Sequence, residues 1–345
     1  MKSATRRRTA LRFTPPAVLA ATLALGLGAP PRAEAGEWTL SLQPLYLTIS
    51  GHDPHVLTVH EIDRGGAPPQ SEKRAVLLET ENGPAYRGEI EYDTGRWAWG
   101  LDFFWFSATQ NAPVLSSAAG GAVDELVFEV ADRSFTSTGP GQVLFYRRLE
   151  DTDVALWTAD LRATRTLAET ANTSVGLTLG LRVGDFDNDY RAVVGVEGEG
   201  GRRLDASSNY GRMTGPLVGL TGAVTFGRNT IEGHLAQSAL FGEVELTNRA
   251  REFAGAPAEA EEGFAFTGVE IFRADQDVTV PITEARIRWT YQATEHLALG
   301  AGIDTAAWWD VPVPPGVAPT DDGLETLHEN TLVFAGALAI VEWRF

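Results

Sequence analysis

The strongest constraint in this chain is a period of two that runs unbroken for ten to sixteen residues at a time. Val175, Leu177, Leu179, Leu181 and Val183 take every second position, with Gly176, Thr178, Gly180, Arg182 and Gly184 between them. Ala155, Trp157, Ala159, Leu161 and Ala163 oppose Thr158, Asp160, Arg162 and Thr164 in the same way. Trp97, Trp99, Leu101, Phe103 and Trp105 are backed by Ala98, Gly100 and Asp102, and Ala285, Ile287, Trp289 and Tyr291 by Glu284, Arg286, Arg288 and Thr290. Side chains of a strand point alternately to two faces, so such segments are strands between two different environments. Strands of soluble sandwiches break after about five or six residues, whereas a strand tilted across a bilayer needs ~9–11. The length and the aromatic residues near the segment ends (Trp38, Tyr46, Trp97, Tyr291, Trp309, Trp343) predict transmembrane strands with interfacial girdles.

Connection lengths supply an independent reading. Strands are expected at about 37–50, 84–93, 96–109, 153–168, 173–188, 212–227, 229–247, 277–293, 295–309 and 329–345. Short links at 93–95, 169–172, 227–228 and 293–294 alternate with long ones at 51–83, 110–152, 189–211, 248–276 and 310–328. That alternation predicts an all-β, antiparallel up-and-down barrel with short periplasmic turns and long extracellular loops. Ten strands are expected. Twelve result if Leu126–Thr136 and Val143–Arg148, which flank Thr138-Gly139-Pro140-Gly141, form a further hairpin that enters the membrane.

Residues 1–35 read as a signal peptide: a basic start (Lys2, Arg6, Arg7, Arg8, Arg12), an apolar run Ala17–Gly28, and Ala33-Glu34-Ala35 as the cleavage site before Gly36. The apolar run is shorter than the ~20 residues a spanning helix needs. Residues 36–345 are then one barrel domain. Removal of the leader leaves 22 basic against 45 acidic residues, a net charge of −23, which disfavours nucleic acid as a partner. Cysteine is absent, so thiol chemistry and disulfides are excluded.

The last strand is the most specific local signal. Counting back by twos from Phe345 gives Trp343, Val341, Ala339, Ala337, Ala335 and Val333, an apolar face ending on the final residue. Phe345 and Trp343 are the expected membrane-insertion signal, read by the barrel-assembly machinery of a Gram-negative outer membrane, where lipid and lipopolysaccharide would surround the protein.

On the opposite, inward faces lie Arg87, Glu89, Glu91, Asp102, Asp160, Arg162, Arg182, Glu232, Glu284, Arg286, Arg288 and Glu342, together with His234, Asp304 and Arg344. A ten-stranded barrel is only slightly wider than one whose side chains fill it. Two outcomes stay open: the charges pair across the lumen, or the arginines line a passage whose charge selects ions. No cofactor and no catalytic constellation is expected. His52, His55 and His60 match no metal spacing, and Asp185–Asp189 lacks the glycine and the final glutamate of a calcium loop. His328 beside Asp321, Asp322, Glu325 and Glu329 reads as a solvated acidic loop.

Several segments, in order along the chain, resemble the pore-forming major outer-membrane proteins of the Legionella type. They are Tyr86–Ser107, Asp160-Leu161-Arg162 with Leu179-Gly180-Leu181-Arg182, and Gly215–Leu220 leading to Ala239–Gly242. Ala301-Gly302-Ile303 to Trp308-Trp309-Asp310 completes the set. The resemblance implies a barrel that passes small solutes and carries no catalytic residues. The leading expectation is therefore a porin-like passive channel, and the alternative a closed structural or surface-interaction barrel.

Overall fold

The computed structural model describes residues 36–50, 55–63, 70–77, 82–109, 115–118, 125–130, 133–138, 143–148, 153–196, 200–253, 268–312 and 329–345. The signal-peptide reading of 1–35 lies outside them. All sixteen elements are strands: β1 Glu37–Ser50, β2 His55–Asp63, β3 Gln70–Leu77, β4 Gly83–Asp93, β5 Trp97–Thr109, β6 Leu115–Ala118, β7 Glu125–Val130 and β8 Arg133–Thr138. The second half comprises β9 Val143–Arg148, β10 Asp153–Glu169, β11 Thr173–Val196, β12 Gly200–Phe226, β13 Asn229–Phe253, β14 Gly268–Gln292, β15 Leu297–Pro312 and β16 Glu329–Arg344.

Ten of these close on themselves in the order β10-β5-β4-β1-β16-β15-β14-β13-β12-β11, with β11 returning to β10, and every neighbouring pair is antiparallel. Closure leaves no open edge in the wall. The seam is β16 on β1, where Leu40 faces Trp343 and Ser50 faces Val333. It is fastened at the very end by Trp38 N–H to Phe345 O and Phe345 N–H to Trp38 O, both 3.0 Å.

The described strands within 110–152, β6 to β9, do not enter the wall. Strand β7 pairs with β8 and with β2, forming a four-stranded sheet with β3, so the expected pairing of Leu126–Thr136 with Val143–Arg148 is not made. Strand β9 instead extends the loop-side part of β11, from Ala192↔Arg148 to Val196↔Leu144, and carries β6. The barrel has ten strands. The described parts of two expected loops, 189–196 with 200–211 and 248–253 with 268–276, are strand and continue the ladders of β11–β14. Along these segments the outward residues turn from apolar to charged beyond Val183 and Phe241; the backbone ladder needs no apolar face once it stands clear of the belt.

The short turns after β4, β10, β12 and β14 lie at one end of the wall, where Trp38 and Phe345 also meet. Gly95 (φ 85°) and Gly227 (φ 64°) take the left-handed backbone that two of these reversals require, and Asp93 Oδ1 accepts the Gly95 N–H at 2.6 Å.

The outer surface carries an apolar belt between two aromatic levels. At the turn end stand Trp38, Tyr92, Trp97, Trp99, Trp289, Tyr291, Trp343 and Phe345, with Trp38 on Tyr92 at 4.8 Å and Trp97 on Trp99 at 6.2 Å. At the loop end stand Tyr46, Tyr86, Trp105, Trp157 and Trp309, with Tyr86 stacked on Trp105 at 5.8 Å. Between them Leu101, Leu161, Leu179, Leu181, Leu220, Leu235, Ile287 and Ile303 are exposed. From Trp343 to Val333 a tilted strand climbs about 25 Å along the axis, the height of the apolar band of a transmembrane barrel.

Deleting Phe345 removes both seam hydrogen bonds and one ring of the turn-end girdle. It should lower barrel stability by about 2 kcal/mol and reduce the folded, heat-modifiable fraction on semi-native electrophoresis after refolding into detergent or lipid.

Candidate functional site

All twelve expected inward residues face the barrel interior, and nine of them are buried: Arg87, Glu89, Asp102, Asp160, Arg182, Glu284, Arg286 and Glu342 are almost fully enclosed, with Arg162 close behind at 12% side-chain exposure. Arg288 and Glu232 are half-buried, and Glu91 stands at the turn-end mouth, 37% exposed. Alternation explains the clustering. Residues i, i+2 and i+4 of β4 (Arg87, Glu89, Glu91) and of β14 (Glu284, Arg286, Arg288) form two charged ladders that register brings beside Asp102, Asp304 and Glu232.

The ladders join across the lumen. Arg182 of β11 grips Asp160 through two bonds, 2.7 Å from Nε and 2.6 Å from Nη2, reaches Glu284 of β14 at 2.6 Å and donates to Ser238 Oγ at 3.1 Å. Arg87 of β4 meets Asp102 at 3.1 Å and, across the barrel, Asp304 of β15 at 3.0 Å. Arg286 and Arg288 of β14 reach across to the two oxygens of Glu89 on β4, at 2.5 and 2.8 Å. Arg288 also holds Glu232, and Arg162 stands 3.5 Å from Asp102 and 3.7 Å from Glu89. Five guanidiniums therefore engage a layer of carboxylates drawn from six of the ten strands. Gly100 makes room for this, since a Cβ there would lie 3.0 Å from Arg162 Nε.

Above this layer, toward the loop end, the interior changes character. Leu45, Leu47, Ile49, Phe104, Phe106, Leu156, Phe186, Tyr210, Met213, Leu240, Val244, Val280, Ile282, Trp308, Leu332, Phe334 and Leu338 form one buried apolar cluster. A chain of rings crosses it from wall to wall: Phe186 to Trp308 at 6.3 Å, Trp308 to Phe334 at 6.2 Å and Phe334 to Phe106 at 5.7 Å. Phe186 also abuts Tyr210 at 5.2 Å, and the Tyr210 hydroxyl donates to the Pro312 carbonyl. Arg87 lies over the Phe104 ring at 5.0 Å, tying the two layers together.

The sequence expectation of a small polar lumen thus holds only in the turn-side half; the loop-side half is a packed core. The signal was present in strands apolar on both faces, such as Ile340 and Leu338 opposite Ala339 and Ala337, or Phe104 and Phe106 opposite Phe103 and Trp105. Belt-facing alternation masks it, because the outward apolar residues carry the period whatever the inner face holds.

Two spaces remain. A cavity of about 20 Å³ between the layers, lined by Arg87, Glu284, Asp304, Trp308 and Phe334, holds at most one or two waters. A vestibule of about 230 Å³ opens at the turn end, walled by residues of β1, β4, β10, β13, β14 and β16. Among the described residues no three His, Asp or Glu side chains are grouped to hold a metal ion. The side chains of His52, His55, His60 and His328 lie outside the described residues.

No protein-family model matches the chain, and no curated protein matches it. Among solved structures it is similar to the outer-membrane protease OmpT of Escherichia coli, at 11% identity over 91% of this chain and 99% of that one, with a TM-score of 0.46. It is also similar to the toluene transporter TodX of Pseudomonas putida, at 11% identity over 94% and 91% with a TM-score of 0.31. A deletion mutant of the TodX monoaromatic hydrocarbon channel gives 14% over 94% and 92%, with a TM-score of 0.34. The likeness is one of barrel fold.

Replacing Arg182 with Met strands Asp160 and Glu284 in the interior. The loss should be about 3–5 kcal/mol, read as a lower urea midpoint in lipid vesicles, and the combined Arg182→Met, Asp160→Asn, Glu284→Gln variant should recover most of it.

Proposed function

We propose that the chain is an outer-membrane barrel closed to passive solute flow, a membrane-anchored structural or surface-interaction protein, which is the second of the two functions its sequence supports. The observation that carries this reading is the interior filled at two successive levels. A solute entering from the turn end meets Arg286 and Arg288 locked on Glu89, then Arg87 and Arg182 locked on Asp102, Asp304, Asp160 and Glu284. Beyond them lies the Phe186–Trp308–Phe334–Phe106 ring chain. A hydrated ion would have to break buried, hydrogen-bonded ion pairs and then lose its water in an apolar core, and each step costs several kcal/mol.

In this reading the turn end faces the periplasm and the belt meets lipid and lipopolysaccharide. The β16–β1 seam ending on Phe345 is the part presented to the assembly machinery. The working surface is the loop-end structure: the continuation of β11–β14 beyond the belt and the sheet β3-β2-β7-β8. The resemblance to the Legionella-type family is carried only as a resemblance in barrel and hairpins, and not in a passage. In this reading none of the inward carboxylates is assigned a catalytic role, and the reading includes no enzymatic activity.

Purified protein in planar bilayers should give no conductance steps above the bare-membrane baseline at 1 M salt. Reproducible single-channel steps from the native chain would overturn the closed reading in favour of a porin-like channel.

A further inference from the structure

The outer face of the β12–β14 extension, clear of the belt, sorts its charge by height. Val244, Leu246, Val278 and Val280 are buried in the interior core, so alternation turns Glu243 and Glu245 of β13 and Asp275 and Asp277 of β14 outward, and all four are exposed. Further from the belt the same face carries Arg249 and Arg273, both exposed, and Arg203 and Arg251, half-buried on either side of Asp205 at 3.2 and 3.1 Å. An acidic tier of four carboxylates therefore stands next to the belt, and a basic tier of four guanidiniums and one carboxylate stands beyond it.

The register makes this sorting unfavourable within one chain. Glu243 lies directly opposite Asp277 and Glu245 opposite Asp275, and like charges facing each other across a strand pair repel. Signs alternating along the strands would let each carboxylate meet a guanidinium in place. Instead, among the described residues, Glu243, Glu245, Asp275, Asp277, Arg249 and Arg273 make no ion pair. Ile271, opposite Arg249, is 55% exposed, the one large apolar side chain that β12–β14 show on this face beyond Phe241 among the described residues.

Orientation selects the partner that such a face fits. A second copy beside the first in the same membrane stands parallel to it and sets acidic tier on acidic tier. A copy turned end over end sets acidic tier on basic tier twice, the reciprocal contact of a two-fold pair. We propose that the outer face of the β12–β14 extension binds a second copy of this chain held in a facing membrane. The proposal rests on the surface-interaction reading above and names its partner. Each contact consists largely of solvent-exposed ion pairs and is weak by itself; the many copies that two membranes present to each other multiply it.

The test is clustering of phosphatidylcholine vesicles that carry the full barrel, its loop end shown to be outward by protease accessibility. Light scattering is followed in EDTA at about 20 mM salt, where exposed charges are little screened. Native vesicles should cluster, and should disperse at about 0.5 M salt. The acidic-tier variant Glu243→Lys/Glu245→Lys/Asp275→Lys/Asp277→Lys and the basic-tier variant Arg249→Glu/Arg273→Glu, each folded by heat-modifiable mobility, should each lose clustering. Vesicles of the first mixed with vesicles of the second should regain it, because their tiers are again opposite in sign. Four outcomes overturn the proposal. They are dispersed native vesicles in EDTA, with recovery on adding Mg²⁺ marking a cation bridge instead; clustering of either variant alone as strong as native; no recovery in the mixture; and capture of protein-free vesicles by native ones, which marks a lipid partner. Conductance in planar bilayers does not depend on clustering, so failure here is separable from failure of the closed reading.

Discussion

The pairing of buried charge inside a closed wall is the constraint on which the rest of this structure depends. A guanidinium such as Arg182, taken from water into a narrow barrel, is tolerable only when it is gripped on several sides, and it is: Asp160 from the neighbouring strand, Glu284 from three strands away and Ser238 between them. Those partners come from different strands, so the ion pairs fix register around the circumference as well as charge. A slip of one residue in β14 would turn Glu284, Arg286 and Arg288 into the lipid and bring Ala285 and Ile287 inside. The same network that closes the lumen therefore specifies how the wall is assembled.

The two interior layers divide the work. The charged layer sits within the height of the outer apolar belt, where both faces of the wall would otherwise be apolar and the strands would lack a distinction between inside and outside. The apolar layer sits toward the loop end, where the outer face becomes charged beyond Val183 and Phe241. Along β11–β14 the polarity thus inverts from apolar-out to apolar-in. At the belt the chain follows the rule for a membrane barrel, and past it the rule for a soluble one. This inversion lets the ladders continue well beyond the belt as ordered strand.

The vestibule follows from the same arrangement. Glu91 lies two residues beyond Glu89 on the inward face of β4, one pleat past the reach of Arg286, and Glu37 opens β1 at the rim. The charge layer is balanced where it is dry and left acidic where it meets water. That gradient distinguishes the vestibule from a simple truncation of the lumen.

The sequence by itself determined the wall. With the choice of ten strands over twelve left to the pairing of β7 with β8 and β2, period-two alternation, the short and long links and the terminal apolar face ending on Phe345 give an antiparallel barrel, the inward and outward faces of its strands and the twelve charged residues that point inside. Each of these is a property of neighbouring residues on one chain. Only the tertiary structure decided what the inward residues do, because Arg182 meets Glu284 across 102 positions and Arg286 meets Glu89 across 197. Nothing local to either partner records that distance. The packing of Phe186, Trp308, Phe334 and Phe106 into one ring chain was hidden for the same reason. Four strands each contribute one ring, and only barrel closure brings the four to the same level.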